Sequence, residues 1–226
     1  MKKLTKAISI LLCLAVLFTM LATAVSAASV GDFKDVGARD WFYNDVKYVV
    51  ENGLFNGTEA DAFSPEEGMT RAMIATVLYR LAGSPETKTI EDFKDVPATA
   101  YYAAPVAWAK GAGIVNGTAK DAFSPDVPVT REQIVSMLYR YYTEYKGVGA
   151  ANAKELTAFT DAGSVSAFAV AAMQWAVGEG ILSGRPNGTL DPKGLATRAE
   201  VAAMFMRFDK KQLIRQPFLP ITYTNS

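Results

Sequence analysis

The 226-residue chain has no histidine and one cysteine, Cys13. Without imidazole it cannot use Ser-His-Asp or Cys-His catalysis, a histidine general base or a histidine-ligated zinc. A single cysteine makes neither an internal disulfide nor a thiolate-rich metal site. Excess charge is also missing: 23 Lys+Arg against 23 Asp+Glu give a formal net of zero. No basic surplus remains for a phosphate backbone, so nucleic acid is not an expected partner. Asp61 and Asp121 recur without calcium-loop spacing and read as loop caps, so no metal site is expected. No cofactor is expected either. What is present is a globular composition, 50% hydrophobic and 20% charged, which argues against a disordered or collagen-like chain. The length allows one or two ordinary domains. Chemistry based on carboxylate, lysine or tyrosine stays open.

Long hydrophobic runs are absent apart from residues 7–24. Lys2, Lys3 and Lys6 precede that run and Val25-Ser26-Ala27 closes it, so residues 1–27 read as a signal peptide. An uncleaved anchor is the alternative, because the run approaches spanning length; the small residues at its end favour cleavage. Cleavage would leave 199 residues with 20 basic and 23 acidic groups and no cysteine. The expectation is a soluble, secreted protein without a stable membrane anchor.

The rest of the chain repeats itself. Phe33-Lys34-Asp35-Val36 recurs as Phe93-Lys94-Asp95-Val96 and as Phe159-Thr160-Asp161-Ala162. Thr70-Arg71 recurs as Thr130-Arg131 and Thr197-Arg198. The stretch from Asn56-Gly57-Thr58 to Phe63-Ser64-Pro65 returns from Asn116-Gly117-Thr118 to Phe123-Ser124-Pro125, and more loosely as Ser183-Gly184 and Leu190-Asp191-Pro192. Asn56, Asn116 and Asn187 each start a glycosylation-like triplet, read here as turns. The repeats span 33–82, 93–142 and 159–208 within one domain, 28–208, followed by a tail, 209–226. A glycine- and alanine-rich linker over 143–156 separates the second and third copies.

Each copy reads helix, loop, helix, which makes the fold mainly α. First helices are predicted over 41–52, 101–112 and 168–179, closed by Gly53, Gly113 and Gly180 as left-handed caps. Second helices start at Thr70, Thr130 and Thr197. Their apolar residues follow i, i+3, i+4, i+7: Ile74, Val77, Leu78 and Leu81; Ile134, Met137, Leu138 and Tyr141; Val201, Met204, Phe205 and Phe208. One helix pair buries too little apolar surface to stand alone, so the three stripes should share a core. Tyr48, Trp108 and Trp175 occupy one equivalent mid-helix position and are expected to be core, as are Phe63 and Phe123.

Thr130 with Gln133, and Thr197 with Glu200, form capping boxes; Met73 breaks the box after Thr70. Arg71, Arg131 and Arg198 follow in the first helical turn, where the helix dipole disfavours a cation by roughly 0.3–1 kcal/mol. Either they meet an anion, together with the helix N-terminal amides, or they pair internally, most simply with Asp35, Asp95 or Asp161. Local physics by itself favours the ion pair.

The ordered set Phe93, Asp95, Gly113-Ile114-Val115-Asn116-Gly117, Phe123-Ser124-Pro125 and Thr130-Arg131-Glu132-Gln133, with Thr197-Arg198-Ala199-Glu200 in the third copy, resembles the S-layer homology (SLH) domain. The first copy departs at Leu54 and Met73. The resemblance implies a pseudo-threefold arrangement around a central three-helix bundle. It also implies non-covalent attachment to a secondary cell-wall polysaccharide of Gram-positive-type bacteria, of the pyruvylated N-acetylmannosamine type. It further turns the arginines from ion-pair partners into ligand groups.

Ligand-binding candidates are then Arg71, Arg131 and Arg198 for a ketal carboxylate. Gly57, Gly117 and Gly184 would allow close backbone approach. Trp41, Tyr101 and Phe168 would meet the apolar faces of sugar rings. Arg131 and Arg198, on complete capping boxes, are expected to matter most, and their replacement by alanine to leave the thermal midpoint nearly unchanged. The alternatives are a carboxylate-based wall glycoside hydrolase using Asp35, Asp95, Asp161, Glu132 or Glu200, and a small structural S-layer component. A glycosidase needs one asymmetric acid pair, whereas these acids are replicated with their surroundings. No catalytic residue is therefore assigned, and no enzyme is expected. The expected location is the wall or S-layer surface, and a surface-protein partner stays open.

Overall fold

The computed structural model describes residues 29–87 and 93–215. Residues 1–27, read from sequence as a signal peptide, and residues 216–226 of the tail lie outside them. Among the described residues six α-helices carry the fold: α1 (Tyr43–Glu51), α2 (Arg71–Leu81), α3 (Ala103–Gly111), α4 (Arg131–Arg140), α5 (Val170–Gly178) and α6 (Arg198–Arg215). Short 3-10 turns precede α1 and α5, and a π-turn, Tyr141–Tyr145, extends α4. No strand occurs among the described residues, only isolated bridges.

The predicted helix ends hold for local reasons. Gly53, Gly113 and Gly180 have φ of +67°, +72° and +67°. Each lets the next N–H, of Leu54, Ile114 or Ile181, donate back to Val49, Ala109 or Ala176 and close the helix. At the other end Thr70, Thr130 and Thr197 accept from the N3 amides, and Gln133 and Glu200 accept from the N-cap amides in return. First helices begin two residues later than predicted. Trp41, Tyr101 and Phe168 stand outside them, where no helical packing covers them.

Helix pairing runs between repeats. α2 packs on α3, α4 on α5, and α6 returns to α1. The second helices are tied at both ends. Near their starts, bridges join Gly68 to Thr197, Thr70 to Pro128 and Thr130 to Leu195. Near their ends, the Tyr141 hydroxyl donates to the Leu81 carbonyl and its ring lies 5.8 Å from Phe208. Ile74, Leu78, Ile134, Leu138, Val201 and Phe205 are fully buried between them. This is the central three-helix bundle, wrapped by α1, α3 and α5.

Asp35, Asp95 and Asp161 do not pair with the arginines. Each carboxylate instead accepts two backbone N–H groups, from Phe63 and Ser64, Phe123 and Ser124, or Leu190 and Asp191. That clamp holds Ser64, Ser124 and Asp191 at positive φ directly before proline, a costly backbone state that needs such support. The proline carbonyls then accept from the second helix of the preceding repeat in the ring: Ala72 N–H to Pro125, Glu132 to Pro192, Ala199 to Pro65. Between the second and third repeats the linker straps α5. A Cβ on Gly178 would lie 1.5 Å from the Asn152 carbonyl oxygen, and Lys154 N–H donates to Gln174. α6 runs past Phe208 into residues read from sequence as tail. There Asp209 accepts from the Tyr48 hydroxyl at 2.8 Å and Lys211 pairs with Glu179.

Candidate functional site

Arg71, Arg131 and Arg198 are buried, and each reaches into the next repeat. Their Nε atoms donate to the carbonyls of Phe123 (2.8 Å), Leu190 (3.0 Å) and Phe63 (2.7 Å). Their Nη2 atoms donate to Asn116, Ser183 and Asn56. The guanidinium therefore staples both ends of the neighbour's glycine loop. Arg71 also lies 4.8 Å over the Phe123 ring and Arg198 4.6 Å over Phe63. The helix N-terminal amides are not free to join them on a ligand. Arg71, Arg131 and Arg198 N–H donate to Val127, Gly194 and Glu67 carbonyls of the neighbouring repeat.

Three grooves open at the repeat junctions, of roughly 280, 190 and 210 Å³. The nine ligand-binding candidates fall into them three apiece, each groove drawing on all three repeats. Arg131 meets Gly184 and Trp41; Arg198 meets Gly57 and Tyr101; Arg71 meets Gly117 and Phe168. Trp41, Tyr101 and Phe168 are 63%, 65% and 56% exposed, which is unusual for large rings placed at equivalent positions. The glycines have a structural duty too. A Cβ at Gly57, Gly117 or Gly184 would come within 3 Å of the Phe33, Phe93 or Phe159 ring.

The far wall of each groove was not foreseen from sequence. It is one face of the second helix: Met73, Thr76 and Arg80; Gln133, Ser136 and Arg140; Glu200, Ala203 and Arg207. The second arginines donate to the Leu54, Ile114 and Ile181 carbonyls. Their signal was in the sequence, an arginine nine residues after each Thr-Arg arginine. Each buried arginine thus faces the N3 residue of the next repeat rather than its own. An order of importance based on its own capping box does not follow.

Burial lowers the pKa of Arg71, Arg131 and Arg198 from the ordinary arginine value. The positive charge of Arg140 lowers Arg71 further, while Asp95 opposes the shift. Glu200 opposes it at Arg131, and Glu67 and Asp35 at Arg198. Among the described residues no carboxylate touches Arg71 or Arg198. The acids considered for hydrolysis are engaged elsewhere: Asp35, Asp95 and Asp161 in loop clamps, Glu132 with Lys193 and Ser166, and Glu200 with Arg131 and Arg185.

A family profile described as "S-layer homology domain" matches residues 32–73, 92–135 and 158–202. The chain is 30% identical over 207 residues to an endoglucanase of Bacillus sp. (strain KSM-635), covering 89% of this chain and 22% of that protein. It is 32% identical to an amylopullulanase of Thermoanaerobacterium thermosulfurigenes over 76% of this chain and 9% of the relative. It is 29% identical to the surface-layer 125 kDa protein of Lysinibacillus sphaericus over 85% of this chain and 16% of the relative. The chain spans less than a quarter of the length of each of these relatives.

Proposed function

The chain belongs to the S-layer homology domain family, and from that premise we propose that it anchors to the bacterial cell wall without a covalent bond. In this reading it binds an anionic, pyruvylated secondary wall polysaccharide in its junction grooves. The observation that carries the reading is the threefold convergence of a buried arginine, a second arginine, a glycine loop and an exposed aromatic ring. A ketal carboxylate can take charge-assisted bonds from the guanidinium groups. The sugar ring can lie against Trp41, Tyr101 or Phe168, and Thr76, Ser136 and Ser183 offer partners for hydroxyls. Clefts this small and open suit a single sugar unit, so tight wall attachment comes from engaging several grooves together.

Relatives named for glycan hydrolysis and for surface layers match this chain to a similar degree. The shared part is thus not what separates their named activities, which supports a non-catalytic anchoring module at the cell surface. No helix among the described residues is long and apolar enough to cross a membrane. Co-sedimentation with purified walls, before and after polymer extraction, tests the proposal. Binding that disappears with the polymer supports it; equal binding to extracted walls overturns it.

A further inference from the structure

The exposed ring of each groove is supported in a different way. Trp41 has Phe42 beside it, edge-on at 5.3 Å, and Tyr101 has Tyr102 at 5.0 Å. At the matching place after Phe168 the chain carries Ala169, and among the described residues no ring lies against Phe168. Phe168 sits instead in the 3-10 turn Ala167–Ala169, whose Ala169 N–H donates to the Ser166 carbonyl at 2.8 Å. Ser166 opens this turn and is held from outside it. Its backbone N–H donates to Glu132 Oε2 at 2.9 Å, its hydroxyl donates to Glu132 Oε1 at 2.8 Å, and Lys193 donates to the same Oε1 at 2.6 Å. Glu132 is 3% exposed. A carboxylate buried that far and given three donors fixes its partners in place, because losing them leaves a charge desolvated and unpaired.

Glu132 stands on α4 next to Gln133, and Gln133, Ser136 and Arg140 form the far wall of the Arg71 groove, which Glu132 itself does not line. Phe168 comes from the third repeat and that wall from the second, so a tie between the two repeats here sets the distance between platform and wall. The equivalent pairs are Ala72 with Thr99 in the Arg198 groove and Ala199 with Arg39 in the Arg131 groove, and neither alanine can make the tie. We propose that Glu132 is a positioning residue of the Arg71 groove: through Ser166 it holds the Phe168 ring in place opposite the α4 wall before a sugar unit arrives. The inference rests on the groove reading above and deepens it. A ring ordered in advance spares the ligand the cost of ordering it.

The test is an NMR titration of the folded chain with the methyl glycoside of N-acetylmannosamine bearing a pyruvate ketal. The Phe168 ring and the Gln133 side-chain amide report the Arg71 groove; the Tyr101 ring and the Trp41 indole N–H report the other two and serve as controls. Glu132→Ala gives the second repeat the residue that the other two carry. It should weaken binding at Phe168 and Gln133 about threefold to tenfold and leave Tyr101 and Trp41 unchanged. Ser166→Ala should give a smaller loss at the same two reporters. It removes one bond from a partly exposed turn and no buried charge, so it keeps the test open if Glu132→Ala folds poorly. A residue that only stabilised the fold would lower the thermal midpoint and leave the affinity of the folded protein untouched in every groove. Unchanged affinity at Phe168 in the folded variants, or equal losses in all three grooves, overturns the inference and leaves the groove reading standing. Silence of every reporter overturns the groove reading, and the inference with it.

Discussion

The junction between the second and third repeats is wired with charge, whereas the other two are wired with aromatic rings and backbone. At the charged junction Arg131 lies against the Leu190 carbonyl and Glu200, and the buried Glu132 accepts from Lys193 at 2.6 Å and from the backbone N–H and hydroxyl of Ser166. At the other junctions Glu132 is replaced by Ala72 and Ala199, and the guanidiniums of Arg71 and Arg198 rest on Phe123 and Phe63. All three arginines make the same two carbonyl bonds. The difference lies in what completes the environment of a buried cation. An aromatic face attracts the cation without cancelling its charge; a carboxylate cancels it. Replicating a fold has therefore not replicated its chemistry.

The largest expected effect erases what the junctions have in common. Arg198→Ala or Arg71→Ala leaves two carbonyls without their charged donor. Each should lower stability by about 3 kcal/mol and the thermal midpoint by roughly 6–12 °C, read by calorimetry. For Arg198 this reverses the expectation, drawn from sequence, of a nearly unchanged midpoint. An unchanged midpoint would mean that the staple contributes nothing.

Next in size is the effect of the second arginines on binding. Arg80→Gln and Arg140→Gln should each weaken binding of a pyruvylated sugar about tenfold in their own groove, read by NMR titration at the Tyr101 and Phe168 rings. Arg207→Gln should have a similar effect in the third groove, read at Trp41, because Glu200 pairs with Arg131 and Arg185 and leaves Arg207 on the Ile181 carbonyl. A much smaller loss for Arg207→Gln would extend the contrast between the junctions into their grooves.

A smaller effect isolates the ion pair. A double-mutant cycle of Arg131→Met with Glu200→Gln should show coupling of about 1 kcal/mol, while Arg71→Met with Gln133→Ala should be additive within roughly 0.5 kcal/mol. Chemical denaturation measures both.

The smallest effect concerns the closure between the third repeat and the first. Burial, and then the bond to Asp209, raise the Tyr48 pKa from 10.0 to about 12. Its folded value exceeds the unfolded one, so its contribution is fully present below pH 10 and fades as pH rises through about 12. Tyr48→Phe should flatten that alkaline loss relative to the unmodified chain. A parallel loss in both proteins would remove Tyr48 from the closure.

Much of this architecture was legible along the chain because its causes are local. An apolar stripe specifies a helix face, a threonine with a partner three residues on specifies a start, and a glycine at left-handed φ specifies an end. Each operates within one or two turns. The nine candidate site residues could be chosen the same way, as recurrent arginine, glycine and aromatic positions. Arg80, Arg140 and Arg207 recurred just as plainly, yet nothing local separates a groove arginine from a solvated one at the end of a helix.

What the tertiary structure alone decided is which copy each residue serves. A stripe such as Ile74, Val77 and Leu78 records that a face must be buried, but any of three near-identical partners would satisfy it. Closing the ring settles the choice. Each second helix packs on the first helix of the following repeat, and its leading arginine crosses with it. Glu200 shows the consequence. Its capping role is written in its own four residues, while its role as counter-ion to Arg131, sixty-nine residues away, exists only because the repeats interlock.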